Sequence, residues 1–316
     1  MVANPAFDAG LVAATPTGDA KKPLEPGPQG RRVQRLTVGR VVLYLVLIAA
    51  AIFFLIPAYV MIVTSLKPMS EIRGGDMLAL PLQPTFDAWV IAWTSTCSGL
   101  RCDGLQPGFL NSVKITVFGV FFAVTAGALT GYAMSFWKFR GSETIFTILI
   151  FGAFVPYQIL LYPLARIFSQ TGLNGSIVGL TIIHTMFGLP ITTLMFRNFF
   201  ASVPPELFKA ARIDGAGFIR IFVQIIMPMS APIIIVAVIW TATGIWNDYI
   251  MGLVFGGRES QPMTTILNNI ILGEFGERRY NVEMAATFIT ALVPLLIYLF
   301  SGRWFIRGVT AGSVKG

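Results

Sequence analysis

Charge is what this sequence most lacks: Asp, Glu, Lys and Arg make up 12% of its 316 residues, against about a quarter in an ordinary soluble domain. So little charge cannot clothe a globule of this length in water. With 55% apolar side chains and a mean hydropathy of +0.72, lipid is expected to be the solvent for much of the chain. Histidine occurs once and cysteine twice, and no spacing resembles a zinc, haem or iron–sulfur site, so no metal chemistry is expected. The Gly-x-x-x-x-Gly-Lys-Ser/Thr phosphate loop is missing, which excludes ATP hydrolysis by this chain through the usual route. An ion-driven secondary transporter would need inverted repeats and buried mid-membrane acids, and neither is found. A membrane enzyme would need paired intramembrane acids, a His cluster or a Ser/His constellation, and these are lacking too.

The net charge of +8 raises nucleic acid as a partner. The basic residues, however, lie in short clusters between long uncharged runs, a pattern that membrane topology explains and nucleic-acid binding does not. A helix needs roughly 20 mostly apolar residues to cross the ~30 Å hydrocarbon core. Six stretches qualify: Val41 to Val63, Ile115 to Trp137, Thr144 to Ala165, Ile177 to Phe196, Met229 to Asn247, and Met284 to Gly302. Only the fourth carries an acid, Lys, Arg or His, namely His184. The expected fold class is therefore an all-α integral membrane protein with six transmembrane helices.

Residues 1–38, rich in Pro, Gly, Ala and Thr and ending near the basic cluster Arg31, Arg32, Arg35 and Arg40, are expected to form a disordered cytoplasmic tail and not a signal peptide. With the amino terminus inside, the tail, the second and fourth loops (Lys138, Arg140; Arg197, Lys209, Arg212, Arg220) and the carboxyl end (Arg303, Arg307, Lys315) hold fifteen of the 23 Lys and Arg. The positive-inside rule thus puts both termini in the cytoplasm. Prolines 156, 163, 190 and 294 are expected to bend their spans, although prolines are common in membrane helices without special purpose. Cys97 and Cys102, five residues apart in the first outside loop, are expected to close as a disulfide in an oxidising compartment.

The loop of about 202–228 carries the most local information. Pro204 and Pro205 pre-set the backbone for a first helical turn, Glu206 suits the positive helix end, and Gly215 is a natural stop. A short helix, a bend at Gly215 to Gly217 and a second helix with Arg220 and Gln224 on one face are expected. Small Ala210 and Ala211 would let another protein approach closely; an amphipathic connector resting on the membrane surface is the plainer reading.

The run Ala210-Ala211 through Asp214-Gly215-Ala216, with Ile225 and the closing Pro228, resembles the EAA loop of permease subunits in binding-protein-dependent ABC importers. The resemblance covers about residues 40 to 310, and Trp246-Asn247-Asp248-Tyr249 looks like a run common in the carbohydrate branch; the chain is most similar to the maltose-type G subunit. This resemblance implies a type I importer permease core (MetI-like) over 39–310, a short carboxyl tail at 311–316, and a cell-membrane transport subunit that is not an enzyme. It also implies a sugar, or another small polar solute, as cargo. The implied partners are a second homologous permease chain, two ATPase subunits holding ATP and Mg, an external sugar-binding protein and membrane lipid; this chain itself binds no cofactor. Glu206, Leu207, Lys209, Ala210, Ala211, Asp214, Gly215, Ala216 and Pro228 become the candidate ATPase-coupling residues. The family Glu is Lys209 here, so either the ATPase offers a matching acid or Glu206, one turn earlier, supplies the carboxylate. Tyr157, Gln158, His184, Trp246, Asn247 and Asp248 are candidates for the solute path. His184 reads equally as a neutral packing residue, and Asp248 as a helix-terminal acid reaching water.

Overall fold

The computed structural model describes residues 37–99, 101–137, 139–273 and 278–313, with side chains as far as Gly302. The expected tail up to residue 36, Lys138, Glu274, Glu277 and Lys315 lie outside the described residues. The chain divides into two units, 1–53 and 54–316. The described part of the first, 37–53, is almost wholly helical and exposed; the second holds the three clusters of buried apolar side chains.

The described elements are helical throughout. In order they are α1 (Val38–Ser65), α2 (Met69–Gly74), α3 (Asp87–Thr94), α4 (Gln106–Tyr132) with a π-helical extension (Ala133–Trp137), α5 (Ser142–Phe154), α6 (Tyr157–Gln170) and α7 (Ile177–Phe200). Then come α8 (Pro205–Ile213), α9 (Phe218–Ile221), a second π segment (Phe222–Ile226), α10 (Met227–Met229), α11 (Ala231–Asn247), α12 (Ile250–Phe255), α13 (Met263–Leu272) and α14 (Tyr280–Ser313).

Among the described residues four helices are long and apolar enough to cross a membrane: Val38–Ser65, Gln106–Trp137, Ile177–Phe200 and Tyr280–Gly302. Two bent pairs pass the same test of length and composition when each pair is taken together, α5 with α6 at 100° and Phe218–Met229 with α11 at 81°, which gives up to six crossings if each pair is one span. The bend at Pro156 in the third stretch is as expected; the break in the fifth was not expected. At the first break Val155 is extended (φ −69°, ψ 125°), as the steric demand of a following proline requires, and Pro156 has no amide to continue the ladder. The helices run on through Pro163, Pro190 and Pro294, so of the four expected bends only the one at Pro156 breaks its helix. At the second break Ser230, fully buried, donates its hydroxyl to the Ile226 carbonyl at 2.6 Å, while Pro232 in the first turn of α11 withholds an amide. Within the four continuous spans no more than 33% of the most apolar window is buried; such extensive exposed apolar surface is lipid-facing or partner-facing, since water tolerates little of it.

Small residues bring the central helices together. The most extensive helix contact is between α4 and α7, where a Cβ on Gly127 would stand 2.2 Å from Thr192 Oγ1. That threonine donates its hydroxyl across the interface to the Ala123 carbonyl at 3.0 Å. In lipid, where apolar helices gain little by hiding from solvent, close backbone approach and interhelical hydrogen bonds of this kind supply the association. α11 packs on α4 and α14, and α14 on α3.

α4 also fixes which loops share an end. Its first turns meet the segment before α13, with Asn111 Nδ2 donating to the Glu259 and Gln261 carbonyls at 2.9 and 3.1 Å and Ser112 Oγ accepting from the Met263 amide at 2.8 Å. Its last turn meets α8 and α9. At ~1.5 Å per residue, a helix of 27 residues separates these two ends by ~40 Å. At the α13 end Cys97 and Cys102 are bonded to each other, and Arg101 in that hairpin pairs with Asp103 and Glu259, both at 2.9 Å. Four helices in the first and fifth loops, α2, α3, α12 and α13, were not expected from the sequence.

Replacing Gly127 by Leu should force α4 and α7 apart and cost about 1–3 kcal/mol or more. Thermal unfolding in detergent should fall measurably for Gly127→Leu and little for Gly152→Leu, whose surroundings are open.

Candidate functional site

The loop of 202–228 folds as its residues dictate. Pro204 precedes α8 and Pro205 opens it, where a missing amide costs nothing, and Glu206 sits in its first turn. Asp214 caps the other end and Gly215 takes the left-handed conformation (φ 79°) that terminates the helix. The Ala216 amide then returns to the Ala211 carbonyl at 2.9 Å and the Gly215 amide to the Arg212 carbonyl at 3.1 Å, the paired bonds of a Schellman stop.

Phe208 anchors α8. Only 8% exposed, it stacks on Phe136 (5.1 Å between centroids, 19° between planes) and meets Trp137 edge-on at 5.7 Å and Tyr132 at 6.4 Å. Tyr132 is fully buried, contacts Phe218 at 4.8 Å and Phe222 at 5.2 Å, and donates its hydroxyl to the Phe218 carbonyl at 3.1 Å. Arg212 lies 5.1 Å over Trp137. The cup is therefore built by the end of α4, by α7 through Phe200, and by α9, and it grips α8 by one aromatic side chain.

Both π-helical segments border this cup. Phe136 and Trp137 lie in the first, and Phe222 begins the second. A π turn closes its hydrogen bond one residue further on than an α turn and re-aims the side chains beyond it. Nearby, Arg197 forks onto Glu143, bonding both carboxylate oxygens at 2.7 Å, and covers the Phe146 ring at 3.7 Å, tying the start of α5 to the end of α7.

Away from the cup α8 presents a free face. Ile213 is 86% exposed, and Glu206, Leu207, Lys209, Ala210, Asp214 and Gly215 are exposed too. Glu206 and Lys209, three residues apart, share a side of the helix. Ala211 differs from the expectation that both alanines face outward: it is buried against the cup, leaving Ala210 on the open face. Ala216 is half-buried against the same cluster, and Pro228 is exposed in α10.

At the other end, Trp246-Asn247-Asp248-Tyr249 forms the joint from α11 into α12. Trp246, 2% exposed, donates its indole N–H to the Thr290 carbonyl at 3.0 Å. The Asp248 carboxylate accepts from the Met251 and Gly252 amides at 2.9 and 3.2 Å, capping α12, and its carbonyl accepts the Thr264 hydroxyl at 2.5 Å. Tyr249 donates to Asn268 at 3.0 Å. Two members of the expected solute path, Trp246 and Asp248, are thus engaged in holding this joint, while Asn247 is exposed. Tyr157 packs edge-on against Phe187 at 6.2 Å, and Gln158 is exposed in the first turn of α6. His184 stands with Nε2 4.0 Å from Asp248 and lines a cavity between α7 and α11. Among the described residues no group of three His, Cys, Asp or Glu is placed to hold a metal ion. Phe208, which carries the site, is not signalled in the sequence, because an aromatic on a short amphipathic helix has no distinctive spacing.

The family model described as binding-protein-dependent transport system inner membrane component matches residues 119–310. The chain is 36% identical over 285 residues to a probable ABC transporter permease protein of Pyrococcus horikoshii, covering 90% of this chain and 100% of that one. It is 30% identical over 282 residues to the glucose import system permease protein of Saccharolobus solfataricus, covering 86% and 95%. Among solved structures, a chain of a bacterial ABC transporter involved in importing the acidic polysaccharide alginate aligns with a TM-score of 0.74 at 20% identity, covering 86% of this chain and 99% of that one; at that identity the likeness is one of fold.

Emptying the cup should detach α8. Phe208→Ala removes a buried aromatic side chain worth about 3 kcal/mol or more, so trypsin should cleave at Lys209 or Arg212 at least tenfold faster in the variant, while Phe208→Leu should keep most of the protection.

Proposed function

This chain belongs to the family of binding-protein-dependent transport system inner membrane components, and from that membership we propose that it is a sugar-conducting permease subunit whose α8 receives the force of ATP hydrolysis on a partner. It is a transport subunit and not an enzyme. The observation that carries the coupling role is α8 itself: a nine-residue helix gripped on one side by the Phe208 cup and free on the other.

In this reading the bulk of the basic residues, the α8 end and both termini face the cytoplasm, and the disulfide hairpin and α13 face outward. Two ATPase subunits carry the ATP and Mg, and their closure and opening push the free face of α8. A second, homologous permease chain completes the solute route, and an external binding protein delivers the solute. Two features support sugar as the cargo: the glucose import relative and the Trp246-Asn247-Asp248-Tyr249 run. At the docking face Lys209 stands where the family carries Glu, so the ATPase presents an acid opposite it, or Glu206 takes over the pairing from its neighbouring position.

The α8 stem is contiguous with the conducting part. From Gly215 the chain passes through α9, the second π segment and α10 into α11, and the cup joins α8 to α4 and α7. A push on α8 therefore reaches three crossing helices as one packed body. Hydrolysis biases the inward–outward equilibrium only by the difference in ATPase affinity for its two states.

The complete complex in proteoliposomes, with ATP inside and the binding protein outside, should accumulate radiolabelled glucose, xylose or melibiose, and uptake should stop when either is omitted. Accumulation driven by an ion gradient without ATP would overturn the reading.

A further inference from the structure

The loop between α2 and α3 turns its apolar side chains outward. Met77, Leu78, Leu80, Leu82 and Phe86 are each more than half exposed, Leu82 at 86%, and no residue from Met77 to Phe86 carries a charge. Water makes such a patch costly to keep open. The loop is nevertheless firmly held: Lys67, itself buried, donates its Nζ to the Asp76 carbonyl at 3.0 Å, the Asp76 carboxylate accepts from the Leu78 amide at 2.9 Å, and the Glu71 carboxylate accepts from the Leu82 amide at 3.0 Å. The Ala79 amide bonds the Asp76 carbonyl at 3.3 Å and the Thr85 amide the Leu66 carbonyl at 2.9 Å, while Pro81 and Pro84 have no amide to satisfy.

One hydrogen bond sets the depth of this loop. Tyr59 of α1 donates its hydroxyl to the Leu78 carbonyl at 2.9 Å. The apolar run of α1 continues past Tyr59 to Val63, so at ~1.5 Å per residue Tyr59 stands ~6 Å inside that run. Helical side chains lean toward the amino end, which carries the phenol deeper still. Leu78 is therefore drawn down alongside the flank of α1 on which Leu55, Ile56 and Ile62 are also exposed, and Thr85 returns the chain to the level of Leu66. The dip matches the ~5–10 Å by which interfacial elements sink beneath lipid headgroups.

What the loop has left to offer identifies its occupant. A protein partner is recognised partly through polar groups at the rim of the contact, and from Met77 to Phe86 only Gln83 and Thr85 have polar side chains, the Thr85 hydroxyl already accepting from the Asp87 amide at 3.1 Å. Acyl chains need no such groups and ask only that backbone polar groups be bonded within the chain. We propose that residues 77–82 are a lipid-inserted tongue, seated among the acyl chains just beneath the headgroups of the outer leaflet and fixing the depth of this end of α1. Its assignment to the outer leaflet rests on the orientation given under the proposed function; its insertion does not.

Spin labels report the surroundings directly. Both native cysteines are tied up in the disulfide, so Leu80→Cys and Leu82→Cys each add a lone free thiol to this chain, and the complex carrying neither supplies the background. In proteoliposomes holding the full complex, labels at both positions should collide with oxygen about threefold more often than with the water-soluble chelate NiEDDA, since oxygen dissolves among acyl chains and a polar chelate does not. The preference should reverse at Glu259→Cys, where the native side chain is 80% exposed. NiEDDA access equal to that at Glu259→Cys puts the loop in water and overturns the proposal; exclusion of both reagents gives the face to a protein partner and overturns it too. The two leucines report independently, so if one variant fails to assemble the other decides. Labelling of Glu259→Cys by an impermeant maleimide on intact cells supports the outer leaflet. Its failure there overturns the orientation and the leaflet, while the collision ratios still decide insertion.

Discussion

A helix of nine residues is shorter than those that hold themselves together in water, so α8 exists because Phe208 and Ala211 are buried by the rest of the molecule. That burial is the constraint on which the functional account depends. It sets the helix at the end of α4 and α7, orients Leu207, Lys209, Ala210 and Ile213 outward, and ensures that displacing α8 displaces the aromatic cup. Were the grip looser, force on α8 would bend the loop and go no further.

The two ends of the molecule are built on different principles. At the α8 end aromatic rings dominate, and cohesion comes from offset and edge contacts around Tyr132 and Phe208. At the α13 end polar bonds do more of the work, with Asp248 capping α12, Asn111 holding the segment before α13, and Arg101 pairing across to Glu259. Between them, α4 and α7 pack through small residues, with Gly127 against Thr192 and Gly131 against Phe196. A packed body with a rigid grip at one end is suited to switching between two arrangements, and poorly suited to graded deformation.

Much of this was legible in the sequence, for identifiable reasons. Composition alone required a membrane, and the hydrophobic runs located the crossings because nothing else in a protein this size needs twenty uncharged residues in a row. The limits of α8 followed from Pro205 and Gly215, whose backbone preferences are local. What stayed hidden was non-local. The break at Val155–Pro156 reads no differently from the unbroken passages through Pro163, Pro190 and Pro294, since a proline's effect depends on whether neighbouring helices hold the ladder together. The π segments are hydrogen-bond patterns with no residue signature. Phe208 is one of 26 phenylalanines, and only the fold shows that it faces Phe136. Trp246 and Asp248 stand out as a polar run in an apolar helix, yet that polarity is consumed in capping and joining.

The claim that α8 is the point where force enters is tested most directly by crosslinking in native membrane vesicles, from a photoreactive side chain placed at Ala210 or Ile213 on the open face. The account predicts capture of a nucleotide-hydrolysing subunit, at a yield that changes when ATP is added, and no such capture from Phe208 inside the cup. Vesicles active in uptake in which neither open-face position ever captures such a subunit would contradict it.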